Sequence, residues 1–326
     1  MPSVLAVLLA LLLTADAAPA PATTPLALAD GGAFAPPEGA ASLGEAAGVT
    51  TDALGRVWAT DAAGNRLLRW DASGRWRDEF GSLGSDANQF RRPTALARLG
   101  SLGVAVLDAE NRRLVAYDLM GRLTDLVVAL DASDLEASVG RVTPIDLASD
   151  RGGALYVAES DRDRVLAFDF SGKFVRAIGG YGLAPGAFHG IAAVAVAPRG
   201  ELVVLERPVA ARRRGKAAAD STRAGAPARL QWLDASGAPL SAWNLPDEGA
   251  RDFALAVDDS GRVAVALSGG RADRVRLYSR EGVLLAESGD VATPRALAFA
   301  ADGALLVAEA GAGRVRRLLP VPAGGR

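Results

Sequence analysis

The sequence predicts an all-β protein: a six-bladed β-propeller of four-stranded antiparallel blades, the last blade completed by the N-terminal strand. The first observation behind this is a pattern that recurs along the chain. An acidic residue is followed five positions later by Arg, four further on by an aromatic residue or Leu, then by Asp and by Gly. It reads Asp61–Arg66–Trp70–Asp71–Gly74, Asp108–Arg113–Tyr117–Asp118–Gly121 and Glu159–Arg164–Phe168–Asp169–Gly172. A fourth copy, Glu206…Arg229–Leu233–Asp234–Gly237, carries an insertion before its Arg. The fifth, Arg274–Tyr278–Ser279–Gly282, lacks the acid, and the sixth, Glu309–Arg314–Leu318, ends before its Gly. A period of roughly 40–50 residues marks a repeat architecture.

The second observation is an alternation of small and large residues in the first strand of each unit: Gly48-Val49-Thr50, Ala95-Leu96-Ala97, Asp146-Leu147-Ala148, Ala193-Val194-Ala195, Ala254-Leu255-Ala256 and Ala296-Leu297-Ala298. Successive strand residues face opposite sides of a sheet. One side is therefore nearly flat and the other bulky, as blades stacked small against large require. The third observation is a deficit. The sixth unit supplies Arg295–Phe299, Leu305–Ala308 and Arg314–Leu319, then reaches Pro320 without a fourth strand. Leu26–Ala29 is the expected replacement, because otherwise both termini leave open strand edges.

Residues 46–80 show how one unit becomes one sheet. Gly48–Thr51 is an extended run, stopped by the turn Asp52-Ala53-Leu54-Gly55. Arg56–Thr60 is the second strand, and Asp61–Asn65 the turn after it. Arg66–Trp70 is the third, followed by Asp71-Ala72-Ser73-Gly74, where Gly supplies a left-handed residue. Arg75–Phe80 is the fourth. Short strands with turn signals at this spacing favour an all-β ring.

The ends of the chain divide differently. Val4–Leu13 is an apolar run too short to span a bilayer, and Ala15-Asp16-Ala17 offers small residues for cleavage. Residues 1–17 are therefore expected to be a signal peptide, 18–25 a Pro/Ala linker, 26–320 the propeller and 321–326 a tail. This places the mature protein in a secreted or periplasmic setting with no transmembrane span. The chain has no cysteine and one histidine, His189, among 326 residues. Disulfides, thiol nucleophiles and His-cluster metal sites are excluded. A net charge of -2 gives no general attraction for nucleic acid or an anionic membrane.

The residues resemble the NHL-repeat family of six-bladed propellers. Gly81-Ser82-Leu83-Gly84…Gln89-Phe90…Pro93 and Gly182…Gly186-Ala187-Phe188 match its spacing between units. The likeness runs over residues 26–320 and implies the fold. It leaves function open, since related propellers include binding scaffolds, lyases and hydrolases. Some hold a divalent metal in the central channel and act as lactonases or amidating lyases. The amidating type uses several histidines, which this chain lacks; the lactonase type needs convergent Glu, Asn and Asp, toward which Asp146 and Asp252 offer two oxygens, but no Asn stands at the start of a first strand to join them.

Four acid–Arg pairs keep identical spacing, which argues for a structural role: each acid bonds to its own turn and faces Arg across a hairpin. Exposed pairs of that kind contribute about 0–1 kcal/mol each. Departures from the repeat are better functional candidates. Asp146 puts a carboxylate in the ring of small residues, where it must be hydrogen-bonded or near the channel mouth; a capped turn after Pro144 is the other reading. Arg91, Arg92, His189, Arg251, Asp252 and Arg295 enter the first strands on the face that also carries Asp161, Arg162 and Asp163. Residues 207–228, in the fourth blade, replace a short turn with a basic loop holding Arg207, Arg212, Arg213, Arg214, Lys216 and Arg223. That loop suits an acidic protein face or an anionic polymer; without interleaved aromatics it is a poor site for single-stranded nucleic acid.

The expectation from the sequence is a monomeric, extracytoplasmic, non-enzymatic scaffold that binds a protein or polymer through its loop face. No catalytic residue, metal ligand or cofactor is assigned. The alternative is a metal-dependent hydrolase or lactonase-like enzyme with a central-channel site.

Overall fold

In the computed structural model, which describes residues 26–37, 42–209 and 226–323, six four-stranded antiparallel sheets form a ring. Five blades use consecutive strands. The sixth has the order Leu26–Phe34, Arg314–Pro322, Leu305–Glu309, Pro294–Phe299, so the N-terminal strand closes the ring. Leu26 pairs with Pro322 and Phe34 with Val315, with a bulge between Asp30 and Ala33. The last strand thus extends past the expected boundary at 320. Pro320 is tolerated because the neighbouring inner strand has already ended, at Leu305 opposite Leu318.

Closure is completed by side chains. Phe34 is buried with Val49, Trp70 and Val315 between the sixth and first blades. The Trp70 indole N–H donates to the Ala35 carbonyl at 3.0 Å. The same small-against-large logic seals the other interfaces. Leu147 packs with Ala95 and Ala97 of the preceding blade, Leu255 with Ala193 and Ala195, and Leu297 with Ala254 and Ala256.

The repeated acid and Arg form a buried clasp, which corrects the expectation of exposed pairs. Asp61, Asp108, Glu159, Glu206 and Glu309 are all essentially without solvent contact. Each sits at the end of a second strand and bonds to the Arg that begins the third: Arg113 Nε lies 2.9 Å from Asp108 Oδ2, and Arg164 Nε 2.5 Å from Glu159 Oε1. In four of these blades the acid also accepts a backbone N–H from the loop entering its own first strand: Glu45 for Asp61, Arg91 for Asp108, His189 for Glu206 and Ala292 for Glu309. The Arg then donates onward to carbonyls of that loop, as Arg113 does to Ser85, Asp86 and Gln89. One ion pair fixes two connections.

The fifth blade has no acid at this position. Ser268 pairs with Asp252 there, and Arg274 and Arg276 turn to Glu248 and Glu287. Between the second and third blades the loop also forms one short helix, Ser133–Val139, held by burial of Leu135 and an Arg112–Glu136 bond of 3.1 Å. Glycine is required where aromatic rings lie on the backbone. A Cβ on Gly81 would stand 2.4 Å from the Phe90 ring, and one on Gly179 2.1 Å from Phe188. This explains the Gly…Phe spacing between units.

Removing one partner of a buried pair strands the other charge and costs about 3–5 kcal/mol. Asp108→Ala is accordingly expected to lower unfolding free energy by that amount in urea titration, while Asp259→Ala, at an exposed pair, leaves the transition unchanged. Truncation of residues 1–34 removes Phe34 and the closing strand. The melting temperature should fall by on the order of 10 °C, and light scattering should report association through the exposed edge.

Candidate functional site in the central channel

The first strands of the blades line the axis. Val49, Leu96, Leu147, Val194, Leu255 and Leu297, one from each blade, border both an upper chamber of about 310 Å³ and a lower one of about 620 Å³. They form an apolar waist between the two. The upper chamber opens where the first strands begin, and its polar lining comprises Glu45, Arg92, Thr94, Asp146, Arg207, Asp252 and Arg295.

Asp146 lies on the third blade's first strand, Pro144–Ser149, just after a register shift between Pro144 and Asp146. It occupies the position of Gly48, Ala95, Ala193, Ala254 and Ala296 in the other blades, each likewise the residue at or just before the main register of its strand. Its Oδ1 accepts the Leu147 N–H and its Oδ2 the Val194 N–H of the next blade, both at 2.9 Å. Asp146 lines the upper chamber and is partly buried. Burial pushes its pKa up to about 7, against the pull of the two N–H donors.

The other charges are mostly matched. Arg295 lies 2.7 Å from Asp252, and Arg92 3.3 Å from Glu45. Arg207 differs. Its Nε donates to the Arg251 carbonyl at 3.2 Å and its Nη1 to the Ile191 carbonyl at 2.8 Å, and among the described residues no carboxylate stands within ion-pair distance. Burial lowers its pKa, while Asp252 and Asp163 raise it.

Of the residues singled out in the sequence, the chamber gathers Arg92, Asp146, Asp252, Arg295 and Arg207. The others lie elsewhere. Arg91 and Arg251 are exposed and act through their backbone. Asp163, left-handed with φ 49°, is buried and accepts the Ile191 N–H at 2.8 Å, linking the third and fourth blades. Asp161 bonds to Thr143 and Arg162 to the Arg141 carbonyl, both on the exposed rim. His189 is buried in the fourth blade's clasp, with Nδ1 2.8 Å from Glu206 Oε2. The insertion is shorter than its sequence suggested, because Val209 and Ala226 pair in both directions and extend the hairpin. Arg212, Arg213, Arg214, Lys216 and Arg223 lie outside the described residues, as do the expected leader and linker.

Glu45 and Thr94 were missed. Glu45 stands immediately before a first strand, as Arg92 does, and that shared position was the available signal. A divalent metal does not fit these residues. Both Asp146 oxygens are taken by N–H donors, Asp252 and Glu45 face Arg, and no three His, Asp or Glu side chains among the described residues are grouped to hold an ion. No described helix is long and apolar enough to cross a membrane.

The chain is a six-bladed propeller with a chamber open at one end. Neither a family model nor a curated protein sequence matches it. Solved structures do. A streptogramin B lyase aligns over 92% of this chain and 100% of its own, at TM-score 0.58 and 15% identity. Virginiamycin B lyase from Staphylococcus aureus aligns over 88% of each chain, at TM-score 0.53 and 16% identity. At such identity the likeness establishes the fold. It also corrects the expectation of a non-enzymatic scaffold. That reading rested on the export signal, the regular repeat and the lack of a recognisable catalytic constellation, yet in these neighbours a ring of the same architecture is a lyase.

A carboxyl whose pKa rises on folding binds its proton more tightly in the native state. Its stabilising contribution is complete below the unfolded value near 3.8 and is lost as pH rises through about 7. The difference is on the order of 4 kcal/mol. Urea unfolding should therefore show stability falling between pH 4 and pH 8. In Asp146→Ala, which restores the residue of the neighbouring blades, this decline should be largely abolished.

Proposed function

We propose that this protein is an enzyme that works in the upper chamber of the channel by acid–base chemistry, with Asp146 as the proton-transfer group. The observation that carries the reading is the Asp146 carboxyl itself. It breaks a ring of Gly and Ala, it faces the chamber, and its pKa of about 7 lets it exchange a proton near neutrality. The apolar waist below it limits the chamber on the far side. Two backbone N–H donors hold the carboxyl in place without protonating it.

Such a base serves two related reactions. In an elimination it removes a proton from carbon while a bond to oxygen breaks on the adjacent carbon. In a hydrolysis it removes a proton from the attacking water. The lyase neighbours favour the first. The channel-site part of the hydrolase alternative is retained in this reading, and its metal is not. The repeat pattern supports an NHL-type origin for the blades, and the apolar N-terminal run supports an extracytoplasmic setting.

The test is a turnover screen by mass spectrometry against simple lactones, cyclic esters, streptogramin B and virginiamycin B. Ring opening by elimination leaves mass unchanged, whereas hydrolysis adds one water. Turnover should rise with pH through about 7 as Asp146 ionises, and Asp146→Asn should lower it by roughly 10²–10⁴-fold. Full activity in Asp146→Asn would refute the assignment.

A further inference from the structure

We propose that Arg207 is an anion-anchoring residue, and that the upper chamber takes small organic molecules bearing a single carboxylate. The inference deepens the reading of the chamber as a reaction site, and rests on that reading only for calling the ligand a substrate.

Three features set Arg207 apart. First, its position is built. Its backbone N–H donates to the Gly190 carbonyl at 2.8 Å, and its Cβ lies 3.5 Å from where a Cβ on Gly190 would stand. Gly190 has φ +63°, a left-handed conformation that brings the two loops together. Second, among the described residues its guanidinium is oriented by carbonyls and no acid pairs with it. Nε and one Nη1 proton are spent on Arg251 and Ile191. The second Nη1 proton and the Nη2 pair remain, and they form the end-on fork that matches the two oxygens of a carboxylate.

Third, the charge count around it selects a monoanion. Asp252 and Asp163 are its nearest acidic influences, and both are committed: Asp252 to Arg295 at 2.7 Å and Asp163 to the Ile191 N–H at 2.8 Å. Arg92 and Arg295 are paired with Glu45 and Asp252. Asp163 keeps its charge, because its partner is a neutral N–H, and Asp146 adds another as it ionises, so the guanidinium fork can serve a carboxylate while the surrounding field opposes a dianionic phosphate. The anchoring point also suits the chemistry. Arg207 bonds to Ile191 and Asp146 to Val194, three residues apart on one strand, or about 10 Å along it. A ligand held by its carboxylate at Arg207 extends toward the Asp146 carboxyl.

Binding is measured directly, by isothermal titration of the full chain with benzoate, benzamide and inorganic phosphate. The wild type should bind benzoate saturably, and benzamide and phosphate at least tenfold more weakly. Arg207→Ala and Arg207→Gln should each weaken benzoate at least tenfold; the Gln variant keeps a polar donor while removing the charge and the fork, which guards against simple misfolding of the Ala variant. Asp146→Asn, which removes a negative charge from the same chamber, should bind benzoate at least as tightly as the wild type. Failure of the wild type to bind benzoate, equal binding of benzamide, or unaltered affinity in both Arg207 variants would overturn the proposal. Because Asp146→Asn is read by binding here and by turnover above, the two can fail separately. Benzoate binding with full activity in Asp146→Asn sinks the catalytic assignment alone.

Discussion

The structure depends on a buried carboxylate gripping an Arg across a hairpin. An ion pair taken out of water repays its desolvation only when its remaining donors and acceptors are satisfied. Here they are. Glu206 accepts from the His189 N–H, from Arg229 Nε and Nη2 and from Gln231 Nε2, while Arg229 donates onward to the Leu183 and Ala187 carbonyls. In four blades the loops clasped in this way are those that deliver the first strand to the axis. The channel mouth thus inherits its geometry from pairs that never face it. His189 belongs to this network through its backbone N–H and Nδ1 and not to the chamber, and its Nε2 is buried without a partner among the described residues.

Regularity in a ring of this kind is a matter of packing, and Asp146 is a place where the packing rule is broken. Five blades place Gly or Ala at the position of Asp146, and the next blade packs closely there. Leu147, Leu255 and Leu297 lie against Ala95, Ala193 and Ala254, and the Thr94–Ala95 backbone lies against Gly48. A carboxylate there is destabilising once ionised, and the fold offsets only part of that cost with two N–H donors. Strain of this sort is what active sites retain. A different irregularity, the insertion in the fourth blade, contributes through its root: Arg207 leaves the hairpin before the loop begins and turns into the channel. The two departures then meet in one chamber.

Closure of the ring bears on the site as well. Phe34 and the Trp70–Ala35 bond secure the joint between the sixth and first blades. Glu45 and Arg295, from those two blades, both line the upper chamber. A slipped N-terminal strand would therefore reshape the mouth as well as expose an edge. Blade five shows how much variation the ring accepts. It lacks the clasp, and a four-membered network of Arg274, Arg276, Glu248 and Glu287 holds its loop instead.

The architecture was legible in the sequence by itself, because blade packing and hairpin turns are local constraints written again in every unit. The number of blades, the flat and bulky faces of the first strands, and the borrowed N-terminal strand all follow from residue size and spacing. Asp146 was legible too, as an exception to a rule. What only the tertiary structure decided is which charges share a chamber. Asp163 and Arg207 look alike in sequence, each a charged residue in a turn region. One is buried against the Ile191 N–H and the other reaches the channel past the same residue's carbonyl. Likewise the acid–Arg pairs read as surface contacts until the interblade loops covered them. Sequence spacing reports neighbours along a strand, whereas desolvation is set by whatever distant segment lies on top.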